Sequence, residues 1–406
     1  MASTVHVIGA GLAGLAAAVG AAKAGRRVVV HEMAGQAGGR CRSYFDETLG
    51  RLIDNGNHLV LSGNKAVARY LGDIGSVDAF DGPARAEYPF VHLGTGARWT
   101  FQPARGLLSL LSLPGAGIAD LLTVIRLALA SPGTTVASSA NPARPLYSEL
   151  WDPLCTAILN TAPAEGSSRL LWAALRESFA LGEDGCRPRL ARKGLGPALI
   201  DPALAWLQEK GVEVGFNRRL RAVVTDQGRA VRLDFGRDRV DLGLDDWVVL
   251  AVPPSAAAEL LPGLETPRDS RSILNGHFLI GTGEATPVLL GVIGGLAQWI
   301  FLRDGIASVT VSAADPVIDQ DAGPLAERLW EDVCKALDLG DRPSPPHRIV
   351  KERRATFAQT PAEVARRPQT RTSWSNLRLA GDWTNTGLPA TIEGALRSGY
   401  AAAADL

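Results

Sequence analysis

Three glycines, Gly9, Gly11 and Gly14, follow a short β-branched run, Thr4–Ile8, and open an alanine-rich stretch, Leu12–Lys23. A strand, a glycine turn and a helix in that order bind the pyrophosphate of a dinucleotide. Gly9 turns the chain sharply, Gly11 lets the backbone approach the phosphates, and Gly14 lets the helix pack on the strand. The helix start at Leu12 and Ala13 then presents its free N–H groups and positive dipole end to the anion. A second buried strand, Arg27–His31, ends at Glu32. A carboxylate there accepts hydrogen bonds from both hydroxyls of an adenosine ribose and repels a 2′-phosphate.

The residues that follow separate nicotinamide from flavin. Gly38-Gly39-Arg40 forms a second loop that reaches the cofactor, with the Arg40 fork suited to a pyrophosphate. Near the other end, Leu377–Leu379 leads into Ala380-Gly381-Asp382-Trp383. Asp382 is placed to accept hydrogen bonds from a ribityl chain. Thr391 and Ile392 then open a helix over 393–404, whose N–H groups would stabilise negative charge on the N1–C2=O edge of a reduced isoalloxazine ring. Together these features predict FAD, held by both ends of the chain. Gly194-Leu195-Gly196 lacks a third glycine and a preceding strand, so no second dinucleotide unit is expected and the electron donor is external.

These motifs need an α/β scaffold. The 406 residues suffice for two domains. The sequence predicts a discontinuous Rossmann-like FAD-binding domain (1–65, 185–255 and 366–406) and a mixed-sheet plus helices substrate domain (66–184 and 256–365). Helices are expected over 146–159, 168–179, 201–210 and 325–337. A hairpin is expected over 89–101, and strands over 276–280, 288–293, 299–302 and 308–312. Lys+Arg and Asp+Glu both number 42, which gives no global charge to attract nucleic acid. Four scattered cysteines without a C-x-x-C fit reduced thiols of the cytoplasm, and six histidines without metal-site spacing argue against a metal enzyme. The first strand begins at once, leaving no room for a signal peptide, and no apolar run is long enough to span a bilayer. Residues 106–130 read either as two core helices joined at Pro114-Gly115 or as a monotopic patch dipping into one leaflet.

Taken in order, Gly9-Ala10-Gly11, Gly38-Gly39-Arg40, Ile53-Asp54-Asn55-Gly56-Asn57-His58 and Gly381-Asp382 resemble the flavin amine oxidase and carotenoid desaturase superfamily. Ala390-Thr391-Ile392-Glu393-Gly394-Ala395 with Ser398-Gly399 looks like the desaturase form of the flavin-contacting helix. Asp54–Leu59 with Leu61-Ser62-Gly63-Asn64, Lys351–Phe357 and Ala380–Thr384 are similar to the squalene-associated branch, the hydroxysqualene dehydroxylases. The resemblance covers the whole chain. It implies reduction of an allylic C30 alcohol to squalene, with loss of water, in bacterial squalene and hopanoid synthesis. It also implies a polyisoprenoid lipid substrate and upstream prenyl synthases as partners. Asn57, His58 and Leu220 join the expected cofactor contacts.

That chemistry needs an acid, a hydride and a dry cavity. The loop that approaches the flavin in such proteins holds Asp54 and His58. A buried Asp54 keeps its proton by desolvation, or else only anchors backbone; His58 titrates near neutrality. Asp152 and Glu177 are weaker candidates for the acid. Trp99, Trp151, Trp172, Phe278, Trp299 and Phe301 are candidate stabilisers of an allylic cation. Competing readings are a desaturase running the electrons in reverse, an amine oxidase using Lys351, and a flavoprotein scaffold for a prenyl synthase.

Overall fold

The computed structural model describes residues 3–113, 115–281 and 288–406. Five strands form a wholly parallel sheet in the order Glu213–Gly215, Arg27–His31, Thr4–Ile8, Trp247–Leu250, Leu377–Leu379. Near-continuous apolar runs such as Val-Val-Leu suit strands covered on both faces. The helix Leu12–Lys23 follows the first strand after the three-residue turn Gly9-Ala10-Gly11, and the C-terminal helix Ile392–Ala404 packs against it. That packing is close because Gly399 lies over the carbonyl of Ala13: a Cβ there would sit 2.2 Å from that oxygen.

A second, mixed sheet has seven strands. Its order is His347–Phe357, Ser270–Leu279, Ile306–Ser312, Trp299–Arg303, Val288–Ile293, Tyr88–His92, Arg98–Phe101. The expected 89–101 hairpin and the strands near 276, 288, 299 and 308 all appear in it. The helix Ala322–Ala336 covers one face, where Leu274, Phe278, Val309 and Val311 meet Leu325, Leu329 and Val333. The other face meets a helical layer that includes Ile118–Ala128, Asp152–Leu159 and Ser168–Arg176. The predicted helix over 146–159 begins as a wide π turn, Tyr147–Trp151, with Pro153 at the start of the regular helix.

Residues 103–130 form a 3₁₀ segment, Pro103–Ser112, and the helix Ile118–Ala128; Pro114, in the turn expected there, lies outside the described residues. The inward side holds Thr123, Val124 and Leu127. Asp120 is also buried, gripped by Arg144 through Nε at 2.8 Å and Nη2 at 2.7 Å, and this pairing holds its carboxyl below the usual carboxylate range. The outward side is mostly apolar: Leu108, Leu111, Ile118, Leu122, Ile125 and Leu129 are all exposed, Ile118 and Leu129 to 80%, with Arg126 among them. No helix among the described residues is long and apolar enough to cross a membrane.

Candidate active site

The two glycine loops meet. Gly38 N–H donates to the carbonyl of Ala10 at 2.8 Å, and Gly38 takes φ +104°, a left-handed conformation suited to glycine. Gly14 presses on the first turn so tightly that a Cβ would lie 1.8 Å from the carbonyl oxygen of Gly9. At Gly11 the reverse holds: no atom lies within 4 Å of where a Cβ would project. That open cradle at a helix N-terminus fits a pyrophosphate. Glu32 accepts backbone N–H groups from Ala10 at 2.7 Å and Ala34 at 2.8 Å, which fixes its carboxylate with lone pairs left for ribose hydroxyls. Leu220 is buried two residues beyond Arg218, whose N–H donates to the Glu32 carbonyl.

The C-terminal signature closes this cradle. Arg40 and Asp382 form a two-pronged ion pair at 2.8 and 2.9 Å, joining residues 342 apart in sequence. Gly381 N–H donates to Ser398 Oγ at 2.8 Å, which fastens the turn to the C-terminal helix. Thr391 caps that helix by accepting from Gly394 N–H at 3.1 Å, and Ile392 begins it. Beneath the loop lies Arg367, a residue the sequence reading passed over. Its guanidinium is buried and donates to the carbonyls of Leu388 (2.8 Å), Asp382 (3.1 Å) and Thr384 (2.5 Å) and to Thr386 Oγ1 (3.2 Å). Burial lowers its pKa to about 10, although Asp382 opposes that shift.

The loop 54–58 lies between this cradle and the seven-stranded sheet. Asp54 is buried and accepts three hydrogen bonds: Ser43 Oγ at 2.5 Å, Leu195 N–H at 2.9 Å and Arg303 Nη2 at 3.0 Å. Those donors come from three distant segments, so its carboxylate ties the loop to the rest of the molecule. Asn57 donates to Thr310 Oγ1 at 3.1 Å, and Thr310 in turn donates to Asn275 Oδ1 at 2.9 Å. His58 is lowered to about 4, chiefly by desolvation and then by Arg40, and is therefore neutral at pH 7. Asp54, Asn57, His58, Leu190, Ala191, Phe301, Arg303 and Ser308 line one cavity.

Register divides the sheet face that meets this loop into two halves. His277 pairs with Ser308 and Asn275 with Thr310; those partners in turn face Phe301 and Trp299 on the next strand. Leu289 and Gly291, then Phe90, then Trp99 continue the same face outward. Phe90 stacks on Trp99 at 5.7 Å and meets the edge of Trp299 at 5.5 Å. One half is thus polar and lies under the loop, while the other is aromatic and aliphatic. Of the aromatics expected at a cation, Trp99, Trp299 and Phe301 share this face. Phe278 points the opposite way, into Trp330 and His347, because alternation along its strand puts it on the other side. Trp151 is core, and Trp172 packs at its margin. Asp152 accepts Thr156 Oγ1, and Glu177 pairs with Arg397. Lys351 shares register with Leu274, on the helix-covered face, and donates to the Gln320 carbonyl.

A parallel dinucleotide sheet, two interlocking glycine loops and a substrate sheet set over them define a flavin-dependent oxidoreductase. A profile described as flavin containing amine oxidoreductase matches residues 12–282 and 305–406, and the chain belongs to that family. Among curated proteins it is similar to the hydroxysqualene dehydroxylases of Rhodopseudomonas palustris (48% identity), Sinorhizobium fredii (43%) and Zymomonas mobilis (40%). Each alignment covers 99% of this chain and 98% of the relative. Among solved structures, an oxidoreductase from Methanosarcina mazei superposes with TM-score 0.76 at 16% identity, covering 98% of this chain and 99% of that one. Putrescine oxidase superposes with TM-score 0.73 at 17% identity, covering 100% and 99%. These structural likenesses define the fold.

Proposed function

We propose that the chain binds FAD and uses it, once reduced, to convert hydroxysqualene to squalene and water, feeding hopanoid synthesis. The observation that carries this reading is the 40–48% identity, over nearly the full length, to three hydroxysqualene dehydroxylases. Reduced flavin supplies the hydride that replaces the hydroxyl. Glu32 serves the ribose, Gly11 and Arg40 the pyrophosphate, Asp382 the ribityl chain, and the helix start at Thr391 and Ile392 the ring edge. Arg40 would then exchange part of its pairing with Asp382 for phosphate oxygens.

The chain's own residues handle the rest. The aromatic half of the sheet, with Trp99, Trp299, Phe301 and Phe90, holds the polyisoprenoid and keeps water from the carbon that loses its oxygen. Ring faces there attract developing positive charge, worth about 1–2 kcal/mol each when desolvated. Asp54 fixes the loop 54–58, which sets the neutral imidazole of His58 on the cavity wall. The exposed leucines and isoleucines of 108–129 belong to the elements whose inward side packs in the same apolar cluster as those aromatics. They form the face on which the protein meets a lipid surface and takes up its substrate.

The test is anaerobic mixing of photoreduced holoprotein with hydroxysqualene. Squalene should form in step with the return of oxidised-flavin absorbance. No reoxidation by hydroxysqualene, together with desaturation of squalene by the oxidised protein, would reverse the proposed direction of electron flow.

A further inference from the structure

Reductive loss of a hydroxyl consumes one proton, and the loop 54–58 is only one wall of the cavity. The facing wall is the polar half of the seven-stranded sheet. Ser308 lines the cavity, and its Oγ lies 2.8 Å from His277 Nδ1. His277 is completely buried; its Nε2 makes no hydrogen bond of ordinary geometry, and the ring faces the Asp54 backbone. His277 shares the polar half of the sheet with Asn275, Ser308 and Thr310, and its only side-chain hydrogen bond among the described residues goes to the serine that lines the cavity.

We infer that Ser308 is a catalytic residue of the proposed reaction, donating its hydroxyl proton to the departing oxygen, and that His277 is the positioning residue that replaces that proton. This inference rests on the functional reading above. In the step, the Ser308 Oγ–H bond breaks as an O–H bond forms on the substrate hydroxyl. The proton on Nδ1 of the His277 imidazolium moves to Ser308 Oγ, leaving neutral imidazole. The carbon–oxygen bond breaks, water leaves, and hydride from reduced flavin completes the reduction. Solvent later returns one proton to His277.

The surroundings set the strength of the acid. Asp54 and Asp46 face His277 and favour its cation. Arg303 opposes it, and Arg348, its partner across the strand pair and itself bound to Asp46, adds a second positive charge. Desolvation dominates and lowers the imidazole to about 4. A low value makes the imidazolium scarce but a strong donor, which suits protonation of an alcohol.

Single-turnover reoxidation of the photoreduced holoprotein by hydroxysqualene tests the relay. Ser308→Ala should slow the step by about 100-fold or more, with the flavin spectrum and hydroxysqualene binding unchanged, and Ser308→Thr should restore it to within about tenfold. In the wild type the rate should climb about tenfold per pH unit from pH 7 to pH 5, because only the imidazolium carries the transferable proton. His277→Gln should flatten that profile, an effect that loss of packing alone would not produce. A Ser308→Ala protein within threefold of wild type, or one that keeps its rate while His58→Gln loses it, overturns the relay alone. A flavin-loaded wild type that never reacts with hydroxysqualene overturns the functional reading and the relay with it.

Discussion

Replacing Arg367 with methionine isolates the group that shapes the C-terminal wall of the flavin cradle. Methionine keeps most of the apolar stem but supplies no donor. The carbonyl of Asp382 then loses its partner, and that of Leu388 keeps only a long contact from Thr386 Oγ1 at 3.5 Å, while the Thr384 carbonyl still accepts from Thr386 N–H at 2.8 Å. Each buried carbonyl left unpaired costs about 1–3 kcal/mol. Against this stands relief from burying a cation whose pKa is lowered to about 10; a shift from an ordinary value near 12.5 corresponds to roughly 3 kcal/mol. The carbonyl loss narrowly outweighs the relief, and a net destabilisation of about 1 kcal/mol is expected. The assay is urea titration of the holoprotein followed by flavin fluorescence, which rises as the cofactor is released. With a urea dependence of about 2 kcal/mol per molar, the release midpoint should fall by about 0.5 M. Arg367→Lys should recover only part of this, since an ammonium cannot reach four oxygens spread along the loop. A methionine variant whose midpoint lies within about 0.2 M of wild type would show that the loop holds its shape without the guanidinium, and the argument would fail.

Two further outcomes follow from the structure. His6 Nδ1 and His31 Nε2 lie 3.2 Å apart in the buried core, and desolvation, together with His6, lowers His31 to about 3. The folded state therefore binds fewer protons than the unfolded chain between about pH 3 and 6.5, so stability is full above that window and falls as pH drops through it, by up to about 1.4 kcal/mol per pH unit for this one group. His31→Phe should reduce the slope of urea midpoint against pH between pH 6.5 and 4.5; an unchanged slope would place the acid sensitivity elsewhere. On the apolar face, Leu122→Lys with Ile125→Lys should move the protein from the vesicle pellet to the supernatant while the flavin spectrum stays unchanged. Equal sedimentation of the double variant and wild type would remove the lipid-surface proposal.

Much of the cofactor site was legible because its chemistry is local. Gly9 to Glu32 is one strand–helix–strand unit, and Gly381 to Ile392 is one strand–turn–helix unit, each with its spacing intact in sequence. The substrate cavity is different. In sequence Asp54 reads as a buried acid or a backbone anchor of its own glycine-rich loop, yet its three partners lie 11, 141 and 249 residues away. Arg367 sits in Arg366-Arg367-Pro368, a run that looks like a solvated charge cluster, and only the fold of the following loop buries it. One signal was available in principle. In Ser270–Leu279 the polar residues Asn275 and His277 alternate with Leu274, Gly276 and Phe278, and in Ile306–Ser312 the residues Ser308 and Thr310 alternate with Ala307, Val309 and Val311. Period-two alternation of this kind marks one polar and one apolar face, and only the fold shows that the polar one meets the loop 54–58.

The parallel sheet is assembled from strands that begin at residues 4, 27, 213, 247 and 377. Its last strand and the helix that seals the glycine loops are made long after the first strand, with Asp382 following Arg40 by 342 residues. Until then Arg40 lacks Asp382, and Ala13 lacks the helix carrying Gly399. The cradle has no closing wall before both are made, and a protein lacking the helix Ile392–Ala404 should accumulate colourless, however well its first two hundred residues have folded.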